Sequence, residues 1–102
     1  MGLKPPFVVN VHDGRQLRFM QVQVQVLARD KAAMDSVEAH MPAVRDALIS
    51  LLSDQQADQV TQSKGRERVR HQALAAVQGV LKKNAGISKA VKALYFTDFV
   101  IQ

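Results

Sequence analysis

The amino-acid sequence predicts an α+β domain, a small twisted sheet of an N-terminal hairpin and a C-terminal strand covered by three helices. Three observations predict it. Residues 7–28 alternate apolar and polar side chains about an Asp-Gly turn. Residues 30–84 repeat apolar side chains every three or four positions, with proline, asparagine and glycine as stops. The closing segment Val91–Gln102, VKALYFTDFVIQ, returns to an extended pattern and holds Tyr95, Phe96 and Phe99.

Lys4-Pro5-Pro6 reads as an extended lead-in, because each proline restricts the residue before it. Phe7–Val11 follows as a strand with Phe7, Val9 and Val11 on one face. His12-Asp13-Gly14-Arg15 marks the turn, since Asp-Gly suits a hairpin whose two central residues have positive φ. The second strand covers about Leu17–Ala28, with Met20, Val22, Val24 and Val26 buried and Gln21, Gln23 and Gln25 wet. Leu17 and Phe19 fall in the opposite frame. That implies either a bulge near Phe19 or cover on both faces at that end.

Asp30 is placed to cap a helix running to about Met41, with Ala33, Met34, Val37 and Met41 on one stripe. Pro42 ends that helix and suits the first turn of the next, which runs to about Ser53 on Val44, Ala47, Leu48, Leu51 and Leu52. Ser53–Gln62 is a polar connector with Val60 as its anchor. Ser63 then caps a third helix to about Asn84, whose stripe is Val69, Ala73, Ala76, Val77 and Val80; Asn84-Ala85-Gly86 stops it. In the final strand Val91, Ala93, Tyr95, Phe99 and Ile101 share one alternation, while Leu94, Phe96 and Val100 share the other. A large side chain left in water forgoes roughly 1.5–3 kcal/mol, so this strand is expected inside the sheet and covered on both faces.

The 102 residues suffice for one domain, residues 1–102, and not for two. The longest apolar run, Ala73–Val77, falls far short of the ~20 residues of a membrane-spanning helix. Absence of cysteine excludes disulfides, thiol catalysis and cysteine metal sites. His12, His40 and His71 have no metal-ligand spacing, the serines no GxSxG context, and the scattered glycines form no phosphate-cradling loop. No catalytic residue, metal ligand or cofactor is therefore predicted.

The charge is informative. The net charge is +5, and Lys64–Lys92 holds eight basic residues against the single acid Glu67. On a helical wheel Lys64, Arg68, His71 and Lys82 lie opposite the Val69–Val80 stripe. A solvated face accounts for them; as a contact surface they suit an acidic protein or lipid headgroups. Nucleic-acid binding calls for stacking aromatics among the charges, and Lys64–Lys92 has none. Asp98 interrupts the aromatic strand, so it stands either at a wet edge or in an ion pair, with Arg45 as first candidate. Arg45, Asp98, Lys64, Arg68 and Lys82 are the candidate interface residues.

Several stretches together resemble the periplasmic domain of the FliL family of flagellar basal body-associated proteins. They are Pro6-Phe7-Val8-Val9-Asn10, Pro42-Ala43-Val44-Arg45-Asp46-Ala47-Leu48-Ile49, Gly65 near the start of the third helix, and Leu94-Tyr95-Phe96-Thr97-Asp98-Phe99-Val100-Ile101-Gln102. The family more commonly has valine where Leu94 stands. The resemblance implies a stomatin/prohibitin (SPFH)-like fold and a non-enzymatic role in associating with and stabilising the flagellar stator, supporting torque, motility and swarming. It implies stator subunits of the MotA/MotB type as partners, no nucleic acid, and a homo-oligomeric ring when membrane-anchored. It also implies a single-pass inner-membrane protein of the basal body, with this domain in the periplasm and an N-terminal membrane helix and linker that these residues lack. The alternatives are a stomatin-like scaffold unrelated to flagella and a basic nucleic-acid-binding module.

Overall fold

The computed structural model describes all residues from Met1 to Gln102. In chain order the elements are β1 (Gly2–Asp13), β2 (Gln16–Ala28), α1 (Lys31–Ala39), α2 (Met41–Ser53), α3 (Ala57–Val60), α4 (Ser63–Ala85) and β3 (Val91–Ile101). The three strands form one antiparallel sheet in the order β1-β2-β3. The α+β class and the hairpin-plus-closing-strand arrangement are those expected. There are four helices, not three.

Asp13 pairs with Gln16, so the two central residues of the hairpin are Gly14 and Arg15 rather than Asp13 and Gly14. Only Gly14 has positive φ, at 62°, the requirement of a type II′ turn. Lys4-Pro5-Pro6 lies within β1 and not ahead of it: Leu3 pairs with Val24 and Phe7 with Val22, so the chain bulges between them. Proline has no N–H to give the ladder, which makes this segment the natural place for the excursion.

One face of the sheet carries the core. Leu3, Phe7, Val9 and Val11 of β1 and Met20, Val22, Val24 and Val26 of β2 are buried together with Val44, Leu48 and Leu52 of α2 and Val69, Ala73, Val77 and Leu81 of α4. Helices α2 and α4 pack on one another, α2 against β1 and α4 against β3. Nothing covers the opposite sheet face. Val8, Leu17, Phe19, Leu27, Tyr95 and Val100, whose pairing places them there, are all exposed.

Strand β3 corrects two expectations. It is an edge strand on β2, covered on one face only. Its two apolar alternations arise because it bulges twice: Val24 pairs with Phe96 but Gln23 with Asp98, and Leu27 pairs with Ala93 but Ala28 with Val91. Thr97 and Lys92 are the extra residues, and each resets the frame by one. Val91, Leu94, Phe96, Phe99 and Ile101 thereby all turn towards the core, while Tyr95, Asp98 and Val100 turn away. Leu17 and Phe19 need neither a bulge nor double cover. The β1–β2 register runs unbroken from Phe7–Val22 to Asp13–Gln16, and both side chains lie on the open face.

Asp30 caps α1 as expected, its Oδ1 accepting the Ala33 N–H at 2.8 Å. His40 ends α1 and precedes α2, with Pro42 in the first turn of α2. The connector anchored by Val60 forms the one-turn helix α3 and buries Ala57 as well. Ser63 does not cap α4; the cap is Gln62, with no side-chain bond. The buried row of α4 is Gly65, Val69, Ala73, Val77 and Leu81, four apart throughout, with Ala76 and Val80 only half-buried beside it. Gly86 ends α4 in the left-handed region, at φ 69°, and Ile87 N–H closes on the Leu81 carbonyl at 3.4 Å.

Candidate functional site

The longest element, α4, presents one face to the core and one to solvent. Lys64, Arg68, His71 and Lys82 are all exposed on the outward side. Lys64 and Lys82 are five turns apart, so the same side of the helix carries cations over roughly 27 Å. The only acid of the helix, Glu67, is already occupied. Arg70 holds it with two hydrogen bonds, and His71 Nε2 stands 3.4 Å away. The Arg70 hydrogen bond keeps the Glu67 carboxyl below the ordinary carboxylate range and, reciprocally, raises Arg70. Lys64 and Arg68 are left without an acid.

Helix electrostatics separates these cations. Lys82 and Lys83 stand in the last turn, where the negative end of the helix dipole favours them. The first turn contains no acid, and Lys64 and Arg66 stand at the positive end, which disfavours cations. The placement of Lys64 is thus not explained within α4, and Arg68, a turn further in, has no acid partner on the helix.

Arg66 and Arg70 play a different part, one that the charge pattern concealed. Arg66 Nε donates to the Val60 carbonyl at 3.2 Å, and its guanidinium lies 4.8 Å from the centre of the Phe99 ring. Arg70 Nη1 donates to the Leu94 carbonyl at 3.1 Å, with the Tyr95 ring centre at 6.0 Å. Gln78 Nε2 does the same for the Val91 carbonyl at 2.8 Å. Together they tie α4 to β3, and Arg70 and Gln78 occupy carbonyls that an edge strand otherwise presents to other chains. The sequence signal was a matched spacing: Arg66 and Arg70 are four apart, as are Tyr95 and Phe99.

Arg45 and Asp98 do not pair within the chain. Arg45 rises from α2 beside β1, lies 4.0 Å over the Phe7 ring and donates to the Pro5 carbonyl at 2.8 Å. Asp98 is exposed on β3, with β2 between the two strands. Of the five candidates, Lys64, Arg68 and Lys82 share one surface, Asp98 stands at the opposite sheet edge from Arg45, and Arg45 is a structural clamp.

No three of the His, Asp and Glu residues gather as a metal would require, and every buried residue is apolar. Charge and hydrogen-bonding capacity are confined to the surface of a packed α+β body. This arrangement defines a domain whose distinguishing features are its surfaces. The chain belongs to the FliL family, the flagellar basal body-associated proteins, whose family model matches residues 1–102. It is 27% identical over 100 residues to the flagellar protein FliL of Aquifex aeolicus (strain VF5), covering 98% of this chain and 59% of that protein. The chain therefore spans well under two thirds of that relative's length.

Proposed function

We propose that this domain is a non-enzymatic part of the flagellar motor that associates with the stator and stabilises it, supporting torque, motility and swarming. Membership of the FliL family over the whole chain supports a basal-body role, and the outward face of α4 supplies the contact surface. The observation that carries the reading is Lys64, a cation set against the helix dipole, with Arg68 one turn further along the same face and the helix's only acid taken by Arg70. Such placement costs stability in the isolated domain, and an acidic neighbour offsets that cost. The partners are stator subunits of the MotA/MotB type. The protein is a single-pass inner-membrane protein, its periplasmic domain of SPFH type assembling as a ring when anchored.

The test is crosslinking in motile cells between the membrane-anchored protein and the peptidoglycan-anchored stator subunit. Capture of that subunit is expected, and reversal of the charges (Lys64→Glu with Arg68→Glu) should abolish it while leaving the fold intact by circular dichroism. Undiminished capture by the reversed variant would remove α4 as the contact, and no capture by the unaltered protein would overturn the stator reading.

A further inference from the structure

We propose that the edge of β3 from Phe96 to Ile101 takes up a fourth strand, an extended acidic segment of a partner protein, with one carboxylate of that segment in the recess beside Arg66. The two edges of the sheet are treated differently. On β1, Pro5 and Pro6 have no N–H to offer, Arg45 occupies the Pro5 carbonyl at 2.8 Å, and the His12 N–H closes on the Gln55 carbonyl at 3.2 Å. Only Val8 and Asn10 stay open between those blocked ends. On β3, Gln78 and Arg70 occupy the Val91 and Leu94 carbonyls, and there the blocking stops. The next cation along, Arg66, turns its Nε to Val60 instead.

The pairing shows which groups are left. Gln102 N–H bonds to the Phe19 carbonyl at 2.8 Å, so Val100 and Asp98, alternate residues going back, also bond towards β2. Phe99 and Ile101 therefore turn N–H and C=O away from it. Phe96 does the same on the other side of the Thr97 bulge, in step with Leu94, whose carbonyl meets Arg70. No side chain bonds to the main chain of Phe96, Phe99 or Ile101. Such unpaired groups recruit another strand; main-chain bonds then supply affinity, and recesses for its side chains supply selectivity.

The charges select the occupant. A recess of about 280 Å³ opens at this edge between Ser63, Arg66, Glu67 and Arg70 of α4 and Tyr95 and Phe96 of β3. Glu67 is held by Arg70, whereas Arg66 makes no ion pair. The first turn of α4 has neither a side-chain cap nor an acid. A carboxylate on the helix side of the added strand meets both that guanidinium and the positive end of the helix. Asp98 belongs to the opposite sheet face, so residues of the added strand that alternate onto that side are uncharged or basic. Two copies joined edge to edge would set Arg66 of each on one sheet face with no acid to meet it, since Glu67 is engaged. The added strand leaves β1, the open sheet face and the outward cations of α4 to the contacts of the proposed ring, and it asks nothing of the stator.

The probe is a blocked octapeptide of glutamate alternating with valine and threonine, titrated into the unaltered chain. Saturable binding with Kd below about 1 mM is expected, with new amide-exchange protection at Phe99 and Ile101. High salt should weaken it. Lysine in place of each glutamate should cost roughly tenfold or more in affinity. The peptide N-methylated at its glutamates, the positions opposite Phe99 and Ile101, keeps its charge but loses its ladder donors and should not bind. Arg66→Glu should cost roughly tenfold with circular dichroism retained, and Ile101→Pro, which removes an outward N–H without touching the ladder to β2, several-fold. Equal binding of the lysine or the N-methylated peptide would overturn the proposal, as would no binding at millimolar peptide. Self-association of the unaltered chain through β3 that the peptide does not displace would do so as well. Failure of the stator crosslink alone would leave these results standing.

Discussion

The guanidinium of Arg45 lies 4.0 Å over the ring of Phe7 while Nη1 donates to the Pro5 carbonyl at 2.8 Å. One side chain from α2 thus grips β1 where prolines have removed it from the ladder. Arg45→Ala should lower stability by about 1–2 kcal/mol, the sum of a cation–π contact and a charge-assisted hydrogen bond on a half-buried side chain. Arg45→Lys should recover only part of it, because an ammonium cannot lie flat on the ring and reach the carbonyl as a planar group does. Urea unfolding of the two variants measures both numbers. Equal stability of all three proteins would show the clamp to be idle.

Gly65 and Gly79 sit on the same helix and should respond oppositely to alanine. A Cβ on Gly65 would lie 1.8 Å from the Gln59 carbonyl oxygen, and that oxygen belongs to the backbone of α3. Nothing stands within 4 Å of a Cβ on Gly79. Gly65→Ala should therefore cost about 2 kcal/mol or more by forcing α3 away from α4. Gly79→Ala should gain about 0.5–1 kcal/mol from helix propensity alone. Melting temperatures moving in the same direction would contradict the close packing of the two helices.

Element order and most of the core were legible in the sequence because they follow from local rules. The alternation of Met20–Val26 needs only its period, and Asp30 and Gly86 mark helix ends through their own backbone geometry. What was not legible depends on partners distant in sequence. Whether apolar residues in both frames of β3 mean two covered faces or one face with bulges depends on pairing with Gln23 and Leu27, some 70 residues earlier by the order of the chain. The role of Arg45 was hidden similarly, since its partners Phe7 and Pro5 lie on another element. At the candidate surface, wheel position correctly put Lys64, Arg68 and Lys82 outside. It also set Arg66 and Arg70 off that face, but it could not show their reach back to β3, which depends on where the edge strand lies.

Acid should weaken the fold through Asp30. Its carboxyl sits below its ordinary value of 3.8, chiefly because it accepts the Ala33 N–H and then because of its hydrogen bond with Arg29. The folded state favours the carboxylate, so this stabilisation is complete above the ordinary value and is lost as pH falls through the lowered one. Asp30→Asn keeps a capping oxygen without the titration. Its urea midpoint should approach that of the unaltered chain at neutral pH and fall less on acidification to about pH 3. Glu67, lowered chiefly by its hydrogen bond with Arg70, adds to the same acid limb and should remain in the Asp30→Asn profile. Identical profiles from the two proteins would mean that the cap does not titrate with folding.

Leu94 and Tyr95 are neighbours on β3 that turn to opposite faces, and they offer the sharpest test of the one-sided sheet. Leu94 is fully buried against the helices, and Tyr95 is 50% exposed and not part of the core. Leu94→Ala should cost about 2–5 kcal/mol, combining lost burial with the cavity left behind. Tyr95→Ala should cost less than about 1 kcal/mol, since it removes a distant Arg70 contact and a half-wet ring. Comparable losses would mean that β3 has a second covered face. Removing Tyr95–Gln102 altogether is a different perturbation: it strips Phe96, Phe99 and Ile101 from the core side and uncovers the edge of β2. A chain so shortened should lose its cooperative thermal transition, because the contribution of this strand lies in the face it turns inward and in the ladder it completes.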